Sequence, residues 1–252
     1  MKLKERLMQG ECVYGTMVGV LDSPDIALML QECGLDWFFF DAEHGYPDPQ
    51  RMNSLFAYAR LCGIAGLLRI PEINKTEVFR AMDMGVAGLI VPNVETPEQA
   101  AELVRLSKYA PLGQRGISMT RPHSGYRKID ALSFMETSNR DTLLIPQIES
   151  PVGIANLDGI LAQEGIDGIL VGPSDLSQSL GIFGQTDTPL FAQQIDSILA
   201  GCKRHGKFAG IVDKSPAGLR RRREQGFRFL QLGSEVSLLT SAVRNGLAAV
   251  KE

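Results

Sequence analysis

The chain has 252 residues, 44% of them hydrophobic and 22% charged, with 26 glycines, four cysteines and a formal net charge of −3. This balance belongs to an ordinary globular chain long enough for one large α/β barrel. It excludes recruitment by charge to nucleic acid or an anionic membrane, leaving small molecules as the expected partners.

In chain order, LKERLMQ (3–9) is expected to form a short helix closing one end of the fold, because Leu3 and Leu7 stand four apart. YGTMVGV (14–20) is a predicted strand and PDIALMLQECG (24–34) a helix opened by Pro and closed by Gly. DWFFFDAE (36–43) is a strand apolar enough to be buried on both faces. The alternation continues with helix 48–62, strand 66–71, helix 75–84, strand 88–93 and helix 97–109. Residues 110–129 then interrupt it with loop composition rich in Gly, Pro and basic residues, where a lid or an oligomer contact is expected. Helix 130–139 restores the rhythm, followed by strand 142–149, helix 151–164, strand 168–172, helix 189–205, strand 207–212, helix 216–225, strand 227–233 and helix 235–249.

Eight βα repeats without a linker predict a single (β/α)8 barrel spanning 1–252. A doubly wound sheet competes poorly, since no strand-to-helix turn carries GxGxxG. Cys12, Cys33, Cys62 and Cys202 are widely spaced without a CxxC pair, which argues against a zinc ribbon and for reduced thiols in a cytoplasmic protein. No run approaches about 18 apolar residues, so neither a membrane span nor a signal segment is expected.

In such a barrel the strand C-termini share one mouth. The residues expected there are Asp41, Glu43, His44, Arg69, Asn93, Gln147, Glu149, Ser174, Asp175, Val212 and Glu235. Glu149 and Asp175 end consecutive parallel strands, so their carboxylates can meet. Paired oxygen ligands suit Mg²⁺ or Mn²⁺ better than Zn²⁺. The bland alternative is that each merely caps the helix after it. His44 follows Asp41 by three residues, a spacing that predicts an acid/base dyad. Arg69 closes the apolar run LLRIP, and its fork is expected to face an anionic oxygen in the mouth or to pair with Glu43 or Glu72. His123 and His205 are weaker candidates. RRRR (220–223) is expected on an exposed helix face, and LGSE (232–235) is only a weak phosphate corner because IVDKSP lacks a glycine pair.

Taken together, DAEHG, LLRIP, MDMGVAGLIVPNVET, KYAPLGQRG, PQIES and LVGPSDLS resemble the class II, metal-dependent pyruvate aldolases of the HpcH/HpaI type over nearly the whole chain. The resemblance implies a barrel that assembles as a hexamer, a trimer of dimers exchanging the last helix. It implies cleavage of 4-hydroxy-2-oxo acids to pyruvate and an aldehyde, with Mg²⁺, Mn²⁺ or Co²⁺ held by Glu149 and Asp175. Arg69 would stabilise the enolate, His44 with Asp41 would be the acid/base dyad, and Gln147, Ser174 and Val212 would touch substrate. Asp83 would reach a neighbouring subunit's site. GTMVGVLDSP and SMTRPHSGY (118–126) depart from the usual pattern, which bears on the aldehyde side. A Claisen-type citrate synthase or acyl-CoA lyase using oxaloacetate and acetyl-CoA is the competing activity, with Arg121, Arg127 and the arginine run as its coenzyme contacts. A non-catalytic binding protein is the third.

Overall fold

The computed structural model describes residues 1–45 and 48–251. A short helix α1 (Leu3–Met8) precedes β1 (Val13–Val18), α2 (Asp25–Glu32), β2 (Trp37–Asp41), α3 (Pro49–Cys62), β3 (Ala65–Arg69), α4 (Lys75–Met84), β4 (Gly88–Val91) and α5 (Pro97–Ser107). After a 3-10 turn at Pro122–Ser124 come α6 (Ala131–Asp141), β5 (Leu143–Ile148), α7 (Pro151–Ala155), α8 (Leu157–Leu161), β6 (Gly168–Val171) and α9 (Pro173–Ser179). The chain closes with α10 (Pro189–Arg204), β7 (Phe208–Asp213), α11 (Pro216–Gln225), β8 (Phe229–Ser234) and α12 (Glu235–Lys251). The eight strands pair in parallel in sequence order, and β1 meets β8 to close the barrel.

The helix starts follow one local rule. At Asp48-Pro49, Thr96-Pro97, Ser150-Pro151, Thr188-Pro189 and Ser215-Pro216 the first residue accepts a hydrogen bond from the backbone N–H three residues on. The proline takes the first helical position, where a missing N–H costs nothing. Gly63, Gly85 and Gly226 end α3, α4 and α11 with positive φ, the left-handed cap that favours glycine.

Strand side chains alternate between the barrel interior and the helical layer. The interior is built from Val13, Trp37, Phe39, Leu67, Ile90, Leu143, Ile145, Leu170, Phe208 and Phe229, with Leu3 and Leu7 of α1 packed against them. These aromatic rings fit because neighbouring strands supply glycine. A Cβ on Gly15 would lie 2.1 Å from the Trp37 ring, and one on Gly168 would lie 2.5 Å from Phe208. Trp37 in turn stacks on Phe229 with centroids 3.8 Å apart. Continued upward, the same inward columns deliver Asp41, Arg69, Gln147, Glu149, Gly172, Val212 and Gln231 to the C-terminal mouth.

Several expectations change. Helix 151–164 is broken at Asn156, whose Nδ2 donates to the Glu95 carbonyl at 2.8 Å. The stretch between β6 and the helix expected at 189–205, for which no element is predicted from the sequence, carries α9. The long 110–129 segment cannot be a lid on its own mouth, because it joins the lower end of α5 to α6. There it is tied to the C-terminal ends of α3 and α4, where Arg60 donates to the carbonyls of Met84, Gly85 and Pro122. Arg121 and Arg127 in this segment are thus remote from their own chain's mouth. In the arginine run, Arg222 is buried, with Nε 4.0 Å from Asp213 Oδ2, while Arg220, Arg221 and Arg223 are exposed. Most of α12 is exposed, with Val236, Leu239, Val243, Leu247 and Val250 along its length and only Glu235 buried. Among the described residues no helix is long and apolar enough to cross a membrane.

Candidate active site

At the mouth, Asp41 and Arg69 sit on directly paired positions of β2 and β3. The guanidinium grips the carboxylate with both ends of its fork, Nε to Oδ1 at 2.8 Å and Nη2 to Oδ2 at 2.6 Å. Both side chains are buried. Arg69 Nη1 also lies 3.0 Å from Glu43 Oε2 and donates to Gln147 Oε1 at 3.4 Å, and the Phe39 ring lies beneath the guanidinium at 5.6 Å. Burial alone would push the Asp41 carboxyl up. The Arg69 hydrogen bonds and charge, with the backbone N–H groups of Glu43 and His44, outweigh it and hold Asp41 below the usual carboxylate range. Arg69 is correspondingly held above its ordinary value, by Asp41 first and then by Glu43 and Glu149, against the opposing effect of burial.

This arrangement corrects the expected dyad. Asp41 Oδ1 accepts from the backbone N–H of Glu43 at 3.0 Å and of His44 at 3.4 Å, so it shapes the turn carrying His44 without bonding the ring. The imidazole is 73% exposed, and its Nε2 stands 3.9 Å from Glu43 Oε2. A two-pronged, charge-assisted pair in a buried setting outcompetes a single bond to an exposed imidazole. The pairing of Arg69 with Glu43 noted from the sequence is present alongside its approach to Gln147 and Glu149.

Across the barrel, Glu149 is buried just past the end of β5 and accepts from the Asn93 N–H at 3.2 Å. Asn93 has φ 52°, a left-handed conformation that an asparagine tolerates better than most residues. The backbone carbonyl of Glu149 accepts from Ser179 Oγ at 2.8 Å, tying it to α9. Gly172 leaves the space that the carboxylate needs, since a Cβ there would lie 2.4 Å from Glu149 Oε2. The clearance this glycine gives to a side chain at the end of the neighbouring strand is visible only in three dimensions. Asp175 lies in the first turn of α9 with Ser174 before it. Val212 faces inward from β7, two residues beyond Gly210.

Glu149 and Asp175 suit a divalent cation. Burial first, then the charge and hydrogen bond of Asp175, raise the Glu149 carboxyl well above the usual range, while the Asn93 N–H and Arg69 act in the opposite direction. Arg69 is committed to Asp41 and Glu43, so Glu149 and Asp175 are left facing each other. A hard cation relieves that crowding. Among the described residues no three His, Cys, Asp or Glu side chains converge as a ready-made metal cluster. The chain therefore offers two carboxylates, and the other ligands would be water and substrate oxygens.

Three expected positions lie elsewhere. Asp83, on the last turn of α4 at the opposite end of the barrel, pairs with Arg115 at 2.9 Å. His123 Nδ1 lies 3.6 Å from the same carboxylate, and His205 pairs with Asp158 at 3.0 Å. Glu235 occupies the place read as a weak phosphate corner. Its Oε1 accepts from the N–H groups of Gly19, Val20 and Leu21 at 2.7, 2.7 and 3.3 Å. The corner's own Ser234 N–H is taken by Ser237 Oγ at 2.9 Å, and the buried Glu235 carboxylate beside it disfavours an anion.

The family model described as HpcH/HpaI aldolase/citrate lyase matches residues 19–242. The chain is 32% identical to a hydroxypyruvate/pyruvate aldolase of Roseobacter denitrificans, over 99% of this chain and 96% of that one. It is 34% identical to a 5-keto-4-deoxy-D-glucarate aldolase of Klebsiella pneumoniae, over 92% and 90%. Among solved structures, an HpcH/HpaI aldolase of Desulfitobacterium hafniense superposes with a TM-score of 0.96 at 32% identity, covering 100% of this chain and 97% of that one. A citrate synthase superposes at 0.89 with 28% identity, covering 99% and 97%.

Proposed function

Because the chain belongs to the HpcH/HpaI aldolase/citrate lyase family, we propose that its mouth cleaves a 4-hydroxy-2-oxo acid, of sugar-acid or dicarboxylic type, to pyruvate and an aldehyde. The observation that carries this reading is the buried Glu149 facing Asp175 across the ends of β5 and β6, with Arg69 beside them. Such a centre can gather negative charge on a 2-oxo acid. A divalent cation held by Glu149 and Asp175, Mg²⁺ or Mn²⁺ with Co²⁺ also suited to oxygen ligands, would supply Lewis acidity toward the 2-oxo group.

The chain's own residues divide the remaining work. Gln147 and the Ser174 backbone orient the carboxylate and 2-oxo end, while Val212 bounds it from β7. Arg69, held by Asp41 and aimed past Gln147, donates to the oxygen on which enolate charge collects as the C3–C4 bond breaks. His44 takes the 4-hydroxyl proton, and Asp41 positions both the guanidinium and the turn that carries the imidazole. The exposed apolar side chains of α12 are covered in this reading by another copy of the chain, in a hexamer that exchanges the last helix. Asp83 and the 118–126 segment, being remote from their own mouth, contribute to another subunit's site.

The test is exchange of the C3 protons of pyruvate in D₂O, followed by proton NMR on protein loaded with Mg²⁺. Exchange without a second substrate, then consumption of a hydroxy-aldehyde or semialdehyde with pyruvate, is the expected result. Release of free thiol from acetyl-CoA with oxaloacetate, together with inertness toward aldehydes, would replace aldol chemistry with Claisen chemistry.

A further inference from the structure

The structure assigns Glu235 as a positioning residue that holds the wall of the mouth facing the second substrate. In the closed strand order, β5 and β6 stand across the barrel from β1 and β2. On the proposed reading, on which this inference rests, pyruvate lies against Glu149 and Asp175 on the β5–β6 side. The remainder of the substrate must then extend toward β8, β1 and β2. That side is bounded by the loop after β1, whose backbone is fastened at its start by one side chain, while Arg51 of α3 pairs with Asp22 farther along it at 2.8 Å. Glu235 Oε1 receives three consecutive N–H groups, those of Gly19, Val20 and Leu21, and the residue is only 5% exposed. Three donors converging on one buried carboxylate oxygen fix the backbone direction of the loop far more narrowly than one bond would. Val20 and Leu21 are thereby held with their apolar side chains exposed at the rim, at 64% and 41%.

The fastened loop also touches the turn carrying His44. A Cβ on Gly19 would lie 3.7 Å from Asp41 Cβ, and one on Gly45 would lie 3.0 Å from the Gly19 carbonyl. Movement of Gly19 therefore reaches the Asp41–Gly45 turn directly. The pyruvate side is anchored apart from it: Glu149 is held by Asn93 and Ser179, and the Asp41 carboxylate is gripped on both oxygens by the Arg69 fork. Glu235 should thus govern affinity for the aldehyde and leave the pyruvate half of the reaction nearly alone. A purely structural carboxylate at the start of α12 would not separate the two halves.

The test compares Glu235→Ala and Glu235→Gln with the parent protein, using glycolaldehyde and pyruvate as probes. Glu235→Ala is expected to keep C3 exchange of pyruvate within about twofold while raising the KM for glycolaldehyde at least tenfold. Glu235→Gln keeps an oxygen acceptor for the loop and should recover most of that loss. Amide hydrogen exchange over residues 17–24 should quicken in Glu235→Ala and stay near the parent rate in Glu235→Gln. An unchanged KM in Glu235→Ala overturns the assignment, as does an equal loss in both halves of the reaction. If the parent itself exchanges no pyruvate protons, the functional reading fails, and amide exchange alone then decides whether Glu235 fastens the loop. If Glu235→Ala does not fold, Glu235→Asp, which keeps the charge but draws the acceptor back from the loop, takes its place: a raised KM for glycolaldehyde with parent-like pyruvate exchange supports the role, and a parental KM refutes it.

Discussion

Replacing Gly172 by alanine places a single methyl group against the proposed cation site. The backbone there, at φ −94° and ψ 96°, is accessible to alanine, so the substitution introduces no conformational strain. The added carbon would lie 2.4 Å from Glu149 Oε2, 3.1 Å from its Cδ and 3.3 Å from its Cγ. Relief to ordinary contact demands a carboxylate movement of about 1 Å, whereas metal–ligand distances tolerate only about 0.2 Å. The moved carboxylate also gives up the Asn93 N–H, at a cost of about 1.5–3 kcal/mol for a bond to a charged acceptor. We expect Gly172→Ala to fold, to lose about 10²-fold in kcat, the scale of a 1 Å misplacement, and to need more Mg²⁺ for half-maximal rate. The assays are a Mg²⁺ titration of aldol cleavage and Mn²⁺ binding by electron paramagnetic resonance, with a thermal melt as the control for folding. A variant with parental rate and parental Mn²⁺ affinity would refute the placement of the cation beside Glu149.

Chelation by EDTA should abolish cleavage and added Mg²⁺ or Mn²⁺ should restore it, whereas Glu149→Ala should stay inactive at any metal concentration; full activity in chelator would remove the cation from the reaction. Arg69→Lys keeps the charge but loses the fork that spans both oxygens of Asp41, and a fall of about 10²–10³ in kcat is expected, as for other lost transition-state donors. Near-parental turnover would reduce Arg69 to a structural ion pair. Leu239→Glu with Val243→Glu places two charges on the exposed apolar face of α12 and should lower the assembly state seen by light scattering; an unchanged mass would show that this face is not a subunit contact.

The barrel was legible because its strands are short, apolar on both faces and separated by helices with repeated cap-proline starts. These are local signals. The same periodicity lists which side chains reach the mouth, and Asp41, Arg69, Gln147 and Glu149 all arrive there. What it leaves undetermined is their choice of partner. Asp41 lies three residues from His44 in sequence but opposite Arg69 across the strand pair, and the second neighbour wins because a guanidinium satisfies both carboxylate oxygens at once. The direction of the 110–129 segment was also hidden, since loop composition does not say which end of a barrel a loop crosses. α9 was foreseeable, for GPSDLSQSL carries Pro at the first position, Asp in the first turn and Leu176 and Leu180 four apart.

The stack of Trp37 on Phe229 gives the molecule an internal optical probe. Trp37 is the chain's single tryptophan, fully buried, on β2, while Phe229 lies on β8 and β1 runs between them. This pair can form only when the first and last strands meet, the contact of longest sequence separation in the barrel and the slowest kind to find. A chain zipped from β2 to β7 but still open would show nearly full far-ultraviolet circular dichroism while the indole, beside Phe39 of its own strand, still lacked Phe229. Tryptophan emission and near-ultraviolet dichroism therefore time the closure of the ring separately from the formation of its helices, without any label.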